Sequence, residues 1–137
     1  MRVQLKYATL PAPLGVLAVH YWFNILHGGE EDAACRRWEV WQRKAAGGES
    51  FGYLHCNLKG PDDDVGGGPA RLAQEWRGEQ AARLQAVLEG CAKAYPYCHR
   101  YLPWPGPNSN TFAAWVLRQA GLDSSLLSWK ALGKRFA

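Results

Sequence analysis

Two periodicities divide the chain. From Gly15 to Ile25 the pattern has period two, with Leu17, Val19, Tyr21, Phe23 and Ile25 on one face and Val16, Ala18, His20, Trp22 and Asn24 on the other. The segment is rich in β-branched and aromatic residues, so it predicts a strand. Cys35 to Trp41 predicts a second strand, antiparallel to the first through the turn-forming run His27 to Asp32. Phe51 to Leu58 is a candidate third strand. Three strands with short connections make a meander, whose faces must be covered.

The spacing then changes to helical. Pro69 to Ala94 is helical in type, with Leu72 and Trp76 on a face continued by Leu84, Val87, Leu88 and Cys91. Gly78 should break or kink it. Tyr95 to Tyr97 and Leu102 to Pro107 are proline-rich and should be stiff and extended. Thr111 to Ala120 predicts a helix, with Phe112, Trp115, Val116 and Leu117 as its apolar stripe and Gly121 as its stop. The expected fold is α+β, a small antiparallel sheet packed against helices, in one domain over residues 1–137.

Gly60 to Pro69 reads as a solvated connector. A calcium loop starting at Asp62 would need Glu where Ala73 stands, and no Gly-Lys-Ser/Thr sequence ends it as a phosphate loop would.

Composition narrows the picture. In a chain of 137 residues, 47% hydrophobic and 20% charged residues place it with globular proteins. The net charge of +4 is scattered in pairs such as Arg36-Arg37, Arg43-Lys44 and Lys134-Arg135, which argues against a nucleic-acid module. Four cysteines, at 35, 56, 91 and 98, read as reduced interior thiols; Cys91, Cys98 and His99 match no metal-ligand spacing, and neither metal nor cofactor is expected. Arg2, Lys6 and the run Leu14 to Val19 resemble a leader only superficially. Pro11 and Pro13 precede the run, His20 and Asn24 follow it, and it is too short to span a bilayer. A cytoplasmic protein without a membrane span is the expectation; its oligomeric state is left open.

The candidate chemistry lies at Asn108-Ser109-Asn110-Thr111, where the Pro/Gly approach meets the last helix. Each of the first three residues is a good N-cap, and capping alone accounts for them. A hydroxyl at a helix N-terminus also sits where amides and the macrodipole stabilise developing negative charge. Ser109 is therefore a candidate nucleophile, His20 its base and Glu39 the group that orients the imidazole, with oxyanion donors at the amides of Asn110 and Thr111. His27 and His55 are alternatives to His20. Taken singly, His20 also fits a hydrogen-bonded core histidine, and Glu39 the partner of a nearby arginine. Asn108, Asn110, Thr111, Trp104, Tyr97, Tyr101 and Trp22 are candidate substrate-binding residues, chiefly as aromatic walls of a cleft. Such a site implies an amide- or ester-bond hydrolase or acyltransferase, on a small-molecule, peptide or acyl ligand. The alternatives are a non-catalytic ligand- or peptide-binding module on the same scaffold, and a purely structural protein.

Several blocks occur in a characteristic order: Leu14 to Trp22, Arg37-Trp-Glu-Val-Trp41, Tyr95-Pro-Tyr97, Trp104-Pro-Gly-Pro-Asn-Ser-Asn-Thr-Phe112 and Ala131-Leu-Gly-Lys134. Together they resemble domain-of-unknown-function family 3750, a bacterial family, from about residue 14 to the C-terminus. The order of His20, Glu39 and Asn108 to Phe112 is also similar to the circularly permuted papain-like group (NlpC, lecithin-retinol acyltransferase and PPPDE types). That second resemblance implies an NlpC-like arrangement of sheet and helices, with Ser109 in the place of the group's Cys. A serine cannot be held as a thiolate–imidazolium pair, so Ser109 must give its proton to His20 during attack.

Overall fold

The computed structural model describes residues 1–11, 18–28 and 34–136. Residues 15–17 of the expected strand and residues 29–32 of the expected turn lie outside these. The strands are β1 (Arg2–Thr9), β2 (Val19–His27), β3 (Ala34–Val40), β4 (Glu49–Phe51), β5 (Leu54–Cys56) and β6 (Arg71–Arg77); α1 (Gly78–Ala94) and α2 (Ser109–Gln119) follow, then a 3-10 turn at Ser124–Leu126. The strands form one antiparallel sheet in the order β4-β5-β3-β2-β1-β6, so the fold is α+β.

Alternation explains the sheet's two faces. Val3 lies opposite Ile25 and Trp76, Leu5 opposite Phe23, and Trp38 opposite Phe23 and Cys56, all on the face that makes the main core. Helix α1 adds Ala81, Leu84, Leu88 and Cys91, spaced to form one stripe, and α2 adds Phe112, Ala113, Val116 and Leu117.

The opposite face carries His20, Trp22, Asn24, Arg37 and Glu39. Trp22 packs there with Ala8 and Val65 in a smaller cluster. The expected solvated connector is in fact the cover of this face. Trp22 Nε1 and Asn24 Nδ2 both donate to the Pro61 carbonyl, at 3.1 and 3.0 Å, and Val65 is buried.

Other expectations change as well. Strand β1 was not anticipated. Arg71 to Arg77, expected to be helical, is strand β6, paired with β1. A register shift between Leu5 and Lys6 sets Trp76 opposite Val3 on the core face and leaves Leu72 opposite Lys6, exposed, so the two do not share the expected face. Gly78, at φ +64, turns the chain from β6 into α1. The third expected strand is split into β4 and β5 by a turn at Gly52, where a Cβ would sit 2.2 Å from the Cys98 carbonyl oxygen. Leu102 to Pro107 is a closed loop rather than an extended rod, fastened by Leu102 N–H donating to the Pro107 carbonyl at 2.9 Å. Helix α2 begins two residues earlier than expected.

Candidate functional site

The site is built where the sheet opens. β3 pairs with β2 only from Phe23 to His27, and beyond Trp38 it continues with β5 instead. The start of α2 stands against β2 where that pairing stops. Asn110 Oδ1 accepts from Tyr21 N–H at 3.3 Å, and Asn110 Nδ2 donates to the carbonyls of Val19 at 2.8 Å and Leu132 at 3.1 Å. One side-chain amide thus takes the role of a neighbouring strand on both sides of His20. The Val19 N–H donates to the Lys130 carbonyl, so this edge of β2 is shared with the C-terminal segment.

The helix start is over-determined. Asn108 Oδ1 accepts from the amides of Asn110 and Thr111, its Nδ2 donates to the Pro103 carbonyl, and its own N–H donates to Thr111 Oγ1, a reciprocal cap. Thr111 Oγ1 donates to the Gly133 carbonyl at 2.8 Å. Gly133, at φ +95, allows this approach: a Cβ there would lie 2.3 Å from Asn108 Nδ2. Asn108, Asn110 and Thr111, expected to touch substrate, therefore hold the frame with their side chains. The amides of Asn110 and Thr111 are taken by Asn108, so the expected oxyanion donors are occupied, and Ser109 N–H is the first-turn amide that Asn108 does not take.

Across the sheet, His20 Nε2 donates to Glu39 Oε2 at 2.6 Å, with both side chains buried. Trp22 lies stacked beside the imidazole, and Trp41 meets it edge-on with ring centroids 5.0 Å apart. Glu39 is gripped from its other side by Arg37, Nε to Oε1 at 2.8 Å and Nη2 to Oε2 at 2.9 Å. Arg37 Nη1 donates to the carbonyls of Gly60 and Asp63, and the guanidinium lies 3.9 Å above the Trp22 ring. Burial alone would raise the Glu39 carboxyl, but the hydrogen bond and charge of His20, joined by those of Arg37, hold it down at about 2. An ionised Glu39 fixes the imidazole's tautomer: Nε2 carries the proton, so the lone pair of the neutral ring is on Nδ1. That Nδ1 is buried and has no hydrogen-bond partner among the described residues.

The structure thus joins His20 to Glu39 and brings the start of α2 against the same stretch of β2. It makes no hydrogen bond between Ser109 and His20; Ser109 is 8% exposed and His20 fully buried. Of the alternative histidines, His27 is exposed at the end of β2. His55 is held by the Arg43 carbonyl and Ser50, and burial lowers its pKa. Trp22, expected to line a cleft, is fully buried under the covering loop. Tyr97 and Tyr101 are half-buried against Phe136 and Tyr53. Trp104 is exposed at the rim of a separate groove. Arg37 was missed as a site residue, although residues two apart on a strand share a face and so place it beside Glu39.

The family whose model is described as "Protein of unknown function (DUF3750)" matches residues 1–136. The chain belongs to this family. No curated protein and no solved structure matches this DUF3750 chain. No helix among its described residues is long and apolar enough to cross a membrane.

Proposed function

We propose that the chain is an amide- or ester-bond hydrolase or acyltransferase, with Ser109 as nucleophile, His20 as base and Glu39 as the group that orients it. The observation that carries this reading is the buried, unpartnered His20 Nδ1, turned into a proton acceptor by the Glu39 contact at Nε2. Asn110 supports it by fixing the residue next to Ser109 to the backbone on both sides of His20. The chain order of His20, Glu39 and Ser109 supports reading the frame as permuted papain-like, with serine at the nucleophile position.

In the reaction, Ser109 Oγ attacks the carbonyl carbon and its proton passes to His20 Nδ1. The oxyanion is received by the Ser109 N–H at the positive end of α2. Collapse breaks the bond to the leaving group, which takes the proton from Nδ1; water or an acceptor amine or alcohol then releases the acyl group. The step requires Oγ and Nδ1 to close to about 3 Å.

The missing Ser109–His20 hydrogen bond, together with the full burial of His20, favours a second reading: a ligand- or peptide-binding module that keeps the frame without turnover. A fluorophosphonate probe separates the two. Labelling of the unaltered chain that is lost in both Ser109→Ala and His20→Asn supports the enzyme. A folded chain that takes no label is the module.

A further inference from the structure

We propose that the groove between the Trp104–Pro105 turn and the C-terminal segment is a binding site for an amphipathic anion, an unbranched acyl chain ending in a carboxylate. The groove encloses about 580 Å³, within the range of small-molecule sites. Its walls include Trp104, Pro105, Trp129 and Phe136, and Lys134 and Arg135 also line it.

Three observations define the ligand. First, Trp104 and Trp129 are 66% and 69% exposed, the most open of the large apolar side chains among the described residues, and both line this one groove. Paired exposed indoles beside an apolar wall mark a surface that gains by being covered.

Second, the groove's side chains offer no acceptor to a ligand that donates hydrogen bonds. Among the described residues no lining side chain is an acceptor, and three of the lining carbonyls already accept: Ala131 from Lys134 N–H, Leu132 from Asn110, and Gly133 from Thr111 and Phe136 N–H. A sugar would find no side-chain acceptor there for its hydroxyls, whereas an acyl chain has no donor to satisfy.

Third, the charge is one-sided. Lys134 and Arg135 also line an adjoining polar hollow of about 330 Å³ with Arg118, Asp123, Ser124 and Ser125. Among the described residues the one carboxylate lining that hollow, Asp123, already accepts from the Ser125 amide and hydroxyl, at 2.8 and 2.7 Å. Lys134 Nζ gives one hydrogen bond to the Leu127 carbonyl, and an ammonium keeps two further donors. An apolar chain in the groove would therefore bring its head to the two cations at the junction with the hollow.

The site is independent of the acyl-transfer reading. The test is calorimetric titration of the full chain with decanoate below its micellar range, beside decyltrimethylammonium (the same chain with a cationic head) and acetate (the head alone). The expected result is one decanoate per chain, with both controls at least tenfold weaker. Trp129→Ala and Arg135→Glu, at exposed positions, should each weaken decanoate at least tenfold with the melting temperature retained. Ser109→Ala should bind decanoate as the unaltered chain does. Absence of decanoate binding, equal binding of the cationic detergent, or indifference to either groove variant would overturn the proposal.

Discussion

Asn110, on the first turn of α2, is hydrogen-bonded to the backbone of Tyr21 in the middle of the sheet, 89 residues earlier in the chain. With the second contact, to Val19, the amide side chain brackets His20 and sets the helix start against the strand that carries it.

Removing that amide should loosen both elements together. Asn110→Ala leaves buried backbone groups without partners, at about 1–3 kcal/mol for each. Asn110→Asp should cost more, because a carboxylate oxygen would then face the carbonyls of Val19 and Leu132. Urea denaturation of both variants checks the order, and an aspartate variant as stable as the unaltered chain would refute it.

The Arg37–Glu39 pair should behave as a unit. Glu39→Gln leaves Arg37 buried without its counter-charge and should cost about 3–5 kcal/mol. The double variant Arg37→Met/Glu39→Gln should be more stable than the sum of the single losses predicts. A double-mutant cycle measures this coupling, and additive losses would contradict it.

Acid should unfold the protein partly through the same carboxyl. The folded value of Glu39, about 2, lies below its ordinary 4.5. The native state therefore holds fewer protons, and the stability this contributes is present above pH 4.5 and lost as pH falls toward 2. Denaturant midpoints followed from pH 6 to pH 2.5 should decline, and Glu39→Gln should flatten that part of the decline. An equal decline in both would show that other carboxyls are responsible.

Gly133→Ala should damage the helix start from a distance. Its φ of +95 and the contact with Asn108 leave no room for a methyl group, so a loss of at least about 1 kcal/mol is expected. Hydrogen exchange should locate the loss at the amides of Asn110 and Thr111, which Asn108 caps. Unchanged protection there would show that the segment yields without disturbing the cap.

The parts of this architecture legible in the sequence are those written in side-chain periodicity. β2 and β3 follow from alternation, and α2 from its cap and its Gly121 stop. Strand β1 was not anticipated, although Val3, Leu5 and Tyr7 alternate along it. β6 was ambiguous because Leu72 and Trp76, four apart, fit either period. At the site, the chain order of His20, Glu39 and Ser109 was readable, and the His20–Glu39 contact is present. The closing of the Gly60–Val65 loop over Trp22 and Arg37 was not readable, because its acceptors are backbone carbonyls, which every residue has. Nor was Asn110 separable from an ordinary capping residue, since only the parting of β3 from β2 gives it a strand edge to hold.

A sheet in which one side chain substitutes for a ladder rung has an unusual failure mode. Where β2 and β3 part, a single amide joins the strand bearing the imidazole to the helix bearing the hydroxyl. Damage to either element would therefore misplace the other, and substitutions in the strand could mimic defects of the helix. Variants that abolish the proposed acyl transfer should accordingly cluster along the seam as well as at Ser109 and His20.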